Sequence, residues 1–114
     1  MTIKEIIEVT GAQLICGESN IDNIIEFAFS SDLMSDVLTQ DSDQVLLITG
    51  LSNLQTIRTA EMADINYILI VRGKAISNDM IRLAEENHIS LLQSDLSMFH
   101  ISGLLYAQDL KPIF

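Results

Sequence analysis

The hydrophobic pattern of this chain states one unit twice. An apolar run enters a glycine turn and then a capped helix, first as VLLITG-LSN over 45–53 and again as YILIVRG-KAISN over 67–78. A weaker third copy, ISLLQSD, follows over 89–95. Within each run the apolar residues are consecutive rather than alternating, as in Val45, Leu46, Leu47 and Ile48. Strands buried on both faces read this way, and they belong to parallel sheets covered by helices.

The flanking segments complete the pattern. Thr2-Ile3-Lys4-Glu5 predicts a capping box that opens a helix with Ile3, Ile6, Ile7 and Thr10 on one face and Gly11 as its stop. Residues 12–16 predict a short strand closed by a turn over 17–20, and 24–29 predict a second apolar strand. Ser30-Ser31-Asp32 then cap a helix carrying Leu33, Met34, Val37 and Leu38, and 39–44 form a polar loop. The repeat units supply helices over 53–65 and 77–87. Leu91 and Leu92 make the last strand, 95–106 the last helix, and Pro112 lies in the tail. The order is α-β-β-α-β-α-β-α-β-α. Short loops and right-handed crossovers turn it into an α/β fold, a three-layer domain with a mainly parallel sheet of about five strands covered by helices. We read residues 1–114 as a single domain.

Composition sharpens this picture. The chain has 114 residues, enough for one core without disulfides or metal. Apolar residues make up 48% and the mean hydropathy is +0.33. No apolar run approaches the roughly 18 residues of a membrane span, so the surplus predicts an apolar association surface and a homodimer. Sixteen acidic residues against six basic give a net charge of −10, which disfavours nucleic acid and anionic membranes. A lone cysteine, Cys16, and the lack of a basic-then-apolar leader predict a cytoplasmic protein, with Cys16 a small buried hydrophobe.

Candidate chemistry gathers where the strands end. In open α/β sheets ligands bind beyond the carboxyl ends of the strands. Those ends carry Ser30, Ser31 and Asp32; Thr49, Gly50, Ser52 and Asn53; Arg72, Gly73 and Lys74; and Ser94 and Asp95. Such residues are either ordinary helix caps or the lining of a crevice for a small anion, with Arg72 and Lys74 beside exposed helix N–H groups. In the helix after Gly50, Leu54, Ile57, Arg58, Glu61 and Ile65 share a stripe at 3.6 residues per turn. Arg58 and Glu61 are therefore expected to pair, shielded from water, at a dimer seam or in ligand contact. The last helix is apolar nearly all round (Leu96, Met98, Phe99, Ile101, Leu104, Leu105), so it lies deep or faces a partner, and Gly103 would admit a close neighbour. His88 and His100 read as surface histidines, and Asp41/Asp43 and Glu85/Glu86 as solvated. Phosphate-binding loops, dinucleotide fingerprints, nucleophile elbows and Cys/His clusters are absent from the sequence. We expect no enzyme, no cofactor and no metal.

FAFSSDLMSDVL over 27–38, LLITGLSNLQTIRTAEMADI over 46–65, ILIVRGK over 68–74 and SDLSMFHISGLLY over 94–106 resemble the DRTGG domain family, and IKEIIEVTGAQLICGE is similar to the start of those domains. The resemblance spans nearly the whole chain. Family members occur inserted in phosphate acetyltransferases and beside CBS domains in regulated pyrophosphatases, and a related fold opens HPr kinase/phosphorylase. Stand-alone members occur in anaerobic bacteria, often alongside iron-only hydrogenase genes. Arg58 aligns with the arginine of the family's name and the Val71-Arg72-Gly73 turn with its Thr-Gly-Gly. Ile57 stands in place of the aspartate, and Arg72 and Lys74 alter the Gly-rich turn. The resemblance implies the α/β architecture, a tendency to dimerise, and a regulatory rather than catalytic role. The leading expectation is thus a ligand-sensing module for a small phosphorylated or nucleotide anion, with Ser31, Asp32, Thr49, Asn53, Arg58, Arg72, Gly73 and Lys74 as ligand contacts. The alternative is a scaffold partner of a redox or hydrogenase-related system with no small ligand.

Overall fold

The computed structural model describes residues 1–37 and 44–113. The expected Leu38, residues 39–43 of the polar loop expected over 39–44, and the Asp41/Asp43 pair lie outside them. The elements run α1 (Ile3–Thr10), β1 (Gln13–Cys16), a 3-10 turn (Glu18–Asn20), β2 (Phe27–Ser30), α2 (Met34–Val37), β3 (Val45–Thr49), α3 (Leu54–Met62), β4 (Tyr67–Ile70), α4 (Asn78–Glu86), β5 (Ser90–Gln93), α5 (Met98–Ala107) and β6 (Lys111–Pro112). They build one sheet in the order β1-β5-β4-β3-β2-β6. β2 through β5 are parallel neighbours, β6 joins β2 in parallel, and β1 alone runs antiparallel, against β5.

This strand order places the helices. From β2 to β5 each crossover moves one strand in the same direction, and right-handed crossovers then put α2, α3 and α4 on one face, with α3 between the other two. α5 crosses back over the other face to reach β6 and packs against α1 and β3. Two cores result. Val45, Leu47, Ile68, Ile70 and Leu91 point toward α2–α4, where Ile57, Ala60, Met80 and Ala84 meet them. Leu46, Ile48, Leu69, Val71 and Leu92 point toward α1 and α5, against Ile3, Ile6, Ile101 and Leu105. Consecutive apolar residues serve opposite faces because successive strand side chains alternate. The α/β class with a mostly parallel sheet is as expected from the repeat, with six strands rather than five.

Local signals explain the boundaries. Thr2 Oγ1 accepts the Glu5 N–H at 3.2 Å and Glu5 Oε1 accepts the Thr2 N–H at 3.1 Å, completing the capping box. Those bonds hold the Glu5 carboxyl below the usual carboxylate range. Gly11 ends α1 at φ 70°. Asn53, Ser77 and Ser97 cap α3, α4 and α5 by accepting N–H bonds from Thr56, Met80 and His100.

Three helices stop earlier or later than the hydrophobic period suggests, for a shared reason. Asp64, His88 and Asp109 each take left-handed backbone, at φ 57°, 58° and 67°. The next residue in each case, Ile65, Ile89 or Leu110, is buried and donates its N–H back to Ala60, Ala84 or Leu105. These are Schellman stops with a non-glycine residue at the left-handed position and an apolar residue behind it. Ile65 is consequently the plug after α3 rather than part of its stripe.

Two expectations are corrected. Pro112 sits in β6, a two-residue edge strand; an edge tolerates a residue with no N–H. The second strand begins at Phe27 rather than at 24, with Ile24 reduced to an isolated bridge to Thr2 and exposed. The left-handed backbone of a β-unbranched, Cβ-bearing residue costs roughly 1–2 kcal/mol. His88→Gly should therefore raise the stability of the fold by about 1 kcal/mol after the extra unfolded-state entropy of glycine is subtracted, measured by urea unfolding with an unchanged m-value.

Candidate functional site

At the carboxyl ends of β2, β3 and β4 the chain folds three turns against one another. Thr49, the last residue of β3, is buried, and its hydroxyl donates to Asp32 Oδ1 at 2.9 Å. The same oxygen accepts the Gly50 N–H at 2.7 Å, so the turn after β2 clasps the turn after β3 through one carboxylate. Thr49 Oγ1 in turn accepts the Leu51 N–H at 3.2 Å. Charge-assisted bonds of this kind are short and strong for their type.

Arg72 arches over this clasp. It follows Val71 at φ 62°, and Gly73 continues the left-handed turn at φ 62°. The turn is held by Arg72 N–H donating to the Leu96 carbonyl at 2.8 Å and Gly73 N–H to the Ser94 carbonyl at 2.9 Å. A Cβ at position 50 would lie 2.5 Å from Arg72 Nη2 and 3.2 Å from Cζ, so glycine at 50 admits the guanidinium. A Cβ at position 73 would lie 2.9 Å from Asp95 Oδ1, which brings the turn after β5 to the same place. Lys74 is exposed, and its carbonyl accepts the Gln93 side-chain amide at 2.5 Å. Among the described residues the ion pair present is Arg82–Asp79, on the surface of α4, at 3.7 Å. The guanidinium of Arg72 and the ammonium of Lys74 are thus free of carboxylate partners among those residues.

The eight expected contact residues divide accordingly. Asp32, Thr49, Arg72 and Gly73 come together around Gly50, with Lys74 next along the turn. Ser31 and Asn53 stand at the same end of the sheet but bond locally: Ser31 Oγ accepts the Leu33 N–H at 2.9 Å in the turn before α2, and Asn53 Oδ1 caps α3, accepting from Thr56 N–H at 2.9 Å and Thr56 Oγ1 at 3.0 Å. Asp32 takes the Gly50 N–H and Asn53 takes the Thr56 N–H of α3, so these two donors are already bonded within the rim. Arg72 and Lys74 add exposed side-chain donors beside them.

Arg58 is placed differently from the expectation. Both Arg58 and Glu61 are exposed, with no ion pair between them among the described residues. α3 buries Thr56, Ile57, Thr59 and Ala60 instead. Its inward stripe sets Ile57 among threonine and alanine, and this orientation turns the charged pair to solvent. Cys16 is buried as expected; burial pushes its thiol up, leaving it a poor nucleophile.

Sequence reasoning missed the role of Asp32 as the tie between two turns. Its signal was present in an acidic residue two positions past β2, facing a Thr-Gly pair at the end of the neighbouring strand. Removing the carboxylate leaves the Gly50 N–H and the Thr49 hydroxyl without their acceptor. Asp32→Ala should cost about 1–3 kcal/mol in chemical denaturation, more than an ordinary surface substitution.

The geometry has a counterpart among solved structures. The crystal structure of the CBS and DRTGG domains of the regulatory region of Clostridium perfringens pyrophosphatase, complexed with the activator diadenosine tetraphosphate, superimposes with a TM-score of 0.72 at 15% identity, covering 96% of this chain. The chain spans 47% of that structure's length, and at this identity the likeness establishes the fold. No curated protein matches the sequence. The sequence matches the DRTGG domain family over residues 5–107. With that span inside a chain of 114 residues, the protein belongs to the DRTGG domain family.

Proposed function

We propose that this chain is a non-enzymatic regulatory module that senses a small phosphorylated ligand, held by Arg72 and Lys74 at the carboxyl ends of β3 and β4. The observation that carries the reading is the pair of cations free of carboxylate partners among the described residues, set on a strained turn of a chain with a net charge of −10. Local positive charge on such a background concentrates an anion where the global field repels it. The regulatory region of the pyrophosphatase relative, captured with a nucleotide activator, supports a sensing role. The absence of catalysis is supported by how the polar groups are used: Asp32, Thr49, Ser31 and Asn53 bond to turns and helix starts.

The working form is a cytoplasmic homodimer joined through α5. No helix among the described residues is long and apolar enough to cross a membrane. α5 buries Ile101 and Leu105, while Phe99 is 80% exposed and Tyr106 68% exposed. A shallow hollow beside Phe99 is lined by His100, Gly103, Leu104 and Ala107, and Gly103 has open space above it. α5 carries no acidic residue, so two copies of an acidic chain meet there with least repulsion. In an isologous antiparallel contact whose two-fold axis passes midway between Phe99 and Gly103, Phe99 of one copy covers Gly103 of the other and the reverse.

Ligand binding confined to the folded state adds stability. At about a hundred times its dissociation constant, a phosphorylated ligand should raise the melting temperature by roughly 10 °C for a domain of this size. Arg72→Ala/Lys74→Ala should abolish that shift while leaving the unliganded melting temperature nearly unchanged. A screen of nucleotides and phosphorylated metabolites in which no anion stabilises the protein would overturn the reading. Light scattering should give about twice the 12.7 kDa chain mass, and Phe99→Asp should halve it without loss of helical signal.

A further inference from the structure

A second concavity lies away from the cations, and its origin is a mismatch of widths. Three helices cover one face of the sheet and two cover the other. Two helices about 10 Å wide cover roughly 20 Å, whereas six strands about 4.8 Å apart span nearly 29 Å. The uncovered strip falls at β2 and β6. There β2 turns small side chains outward, Ala28 and Ser30, while its large ones, Phe27 and Phe29, serve the opposite core. A trough of about 190 Å³ results, with Ala28 and Ile48 as floor, Leu105 and Tyr106 of α5 as one wall, and Pro112 of β6 as the other.

One end of this apolar trough carries a defined polar group. Ser30 Oγ and Ser102 Oγ are 2.8 Å apart and form one hydrogen bond between two hydroxyls. Two O–H groups in one bond leave one proton and spare lone pairs facing water, because Ser30 is exposed. The pair therefore offers a donor and an acceptor side by side. A cavity of about 150 Å³ lined by apolar side chains holds a benzene ring, so this trough admits a six-membered ring fully, or a fused pair with one edge at the mouth. The rest of the lining is apolar apart from Lys111, next to Pro112 in β6.

We propose that this trough seats a flat heteroaromatic ring of the nucleobase class. The ring lies between Ala28 and Tyr106 and presents an adjacent donor and acceptor to the Ser30–Ser102 pair. The inference stands on the trough and the hydroxyl pair, independently of Arg72 and Lys74.

Phosphate-free adenosine and uridine, titrated to millimolar concentration against isotope-labelled protein, separate this site from the cationic one. Saturable NMR shifts at Ala28, Ser102 and Tyr106 from at least one nucleoside are expected. They should persist in Arg72→Ala/Lys74→Ala. They should weaken about tenfold in Tyr106→Ala, which removes a largely exposed side chain and leaves the core intact. Ala28→Leu should fill the trough and abolish them. The proposal is overturned if neither nucleoside shifts those residues, if binding survives Tyr106→Ala at full strength, or if it disappears with the two cations. If no phosphorylated compound stabilises the unsubstituted protein while these shifts are present, the cation reading alone is overturned.

Discussion

Double-sided burial of β3 and β4 is the constraint on which the other features depend. Every residue of both strands is buried, and none alternates with a polar one. A strand of this kind cannot sit at an edge or face water on one side, so it needs neighbours on both flanks and helices above and below. The parallel repeat meets that need with connections just long enough to hold one helix each. The central helix α3 turns Thr56, Ile57, Thr59 and Ala60 inward, and its charged residues go outward as a result. The same constraint makes the strand ends converge: four parallel neighbours finish at one rim, and the turns that follow them have to share it.

That sharing explains why the rim is tied by side chains. The β2, β3, β4 and β5 turns meet through the Asp32 carboxylate, the Arg72 guanidinium over Gly50, and the close pass of Gly73 by Asp95. In addition, Ser52 donates its hydroxyl to the Ala75 carbonyl, joining the turns after β3 and β4. A rim held this way is preorganised around its cations, and an anion bridging Arg72 and Lys74 would meet a turn whose backbone is already fixed by bonds to Leu96 and Ser94.

Much of the fold was legible in the sequence because its signals were strong and local. The repeated apolar runs, the capping box at Thr2 and the cap residues Asn53 and Ser77 each act within a few residues. The rest depends on distant packing. β6 is two residues long and contains a proline, so no local pattern announces it; it exists because β2 leaves an edge beside it. The rotation of α3 was hidden because Thr56 and Thr59 count as polar in a periodic reading, although their methyl groups pack inward. Asp64, His88 and Asp109 stop helices at a position where glycine is the usual signal. At the rim, the residue types were readable from strand ends alone. Which of them bind each other depends on the side-by-side order of the strands, and this appears only in three dimensions.

The strand order also dictates when the molecule can be completed. β1 leaves the ribosome before the other strands of this sheet, yet among the described residues its strand partner is β5, and the 3-10 turn after it is held by Asn20 bonding to the His88 carbonyl and the Ser90 hydroxyl. β2 likewise receives its outer neighbour from the last residues described. During synthesis the central strands can pair in sequence as they emerge, while β1 waits unpaired until residue 93 is available. Contacts of such long sequence separation slow folding and leave strand edges open meanwhile. A nascent chain halted before β5 would therefore carry an apolar N-terminal strand with no place in its own sheet, suited to adding to another copy's edge. The antiparallel pairing of β1 on β5 is in this sense the step that covers the β5 edge and leaves a four-residue strand at the margin of the sheet.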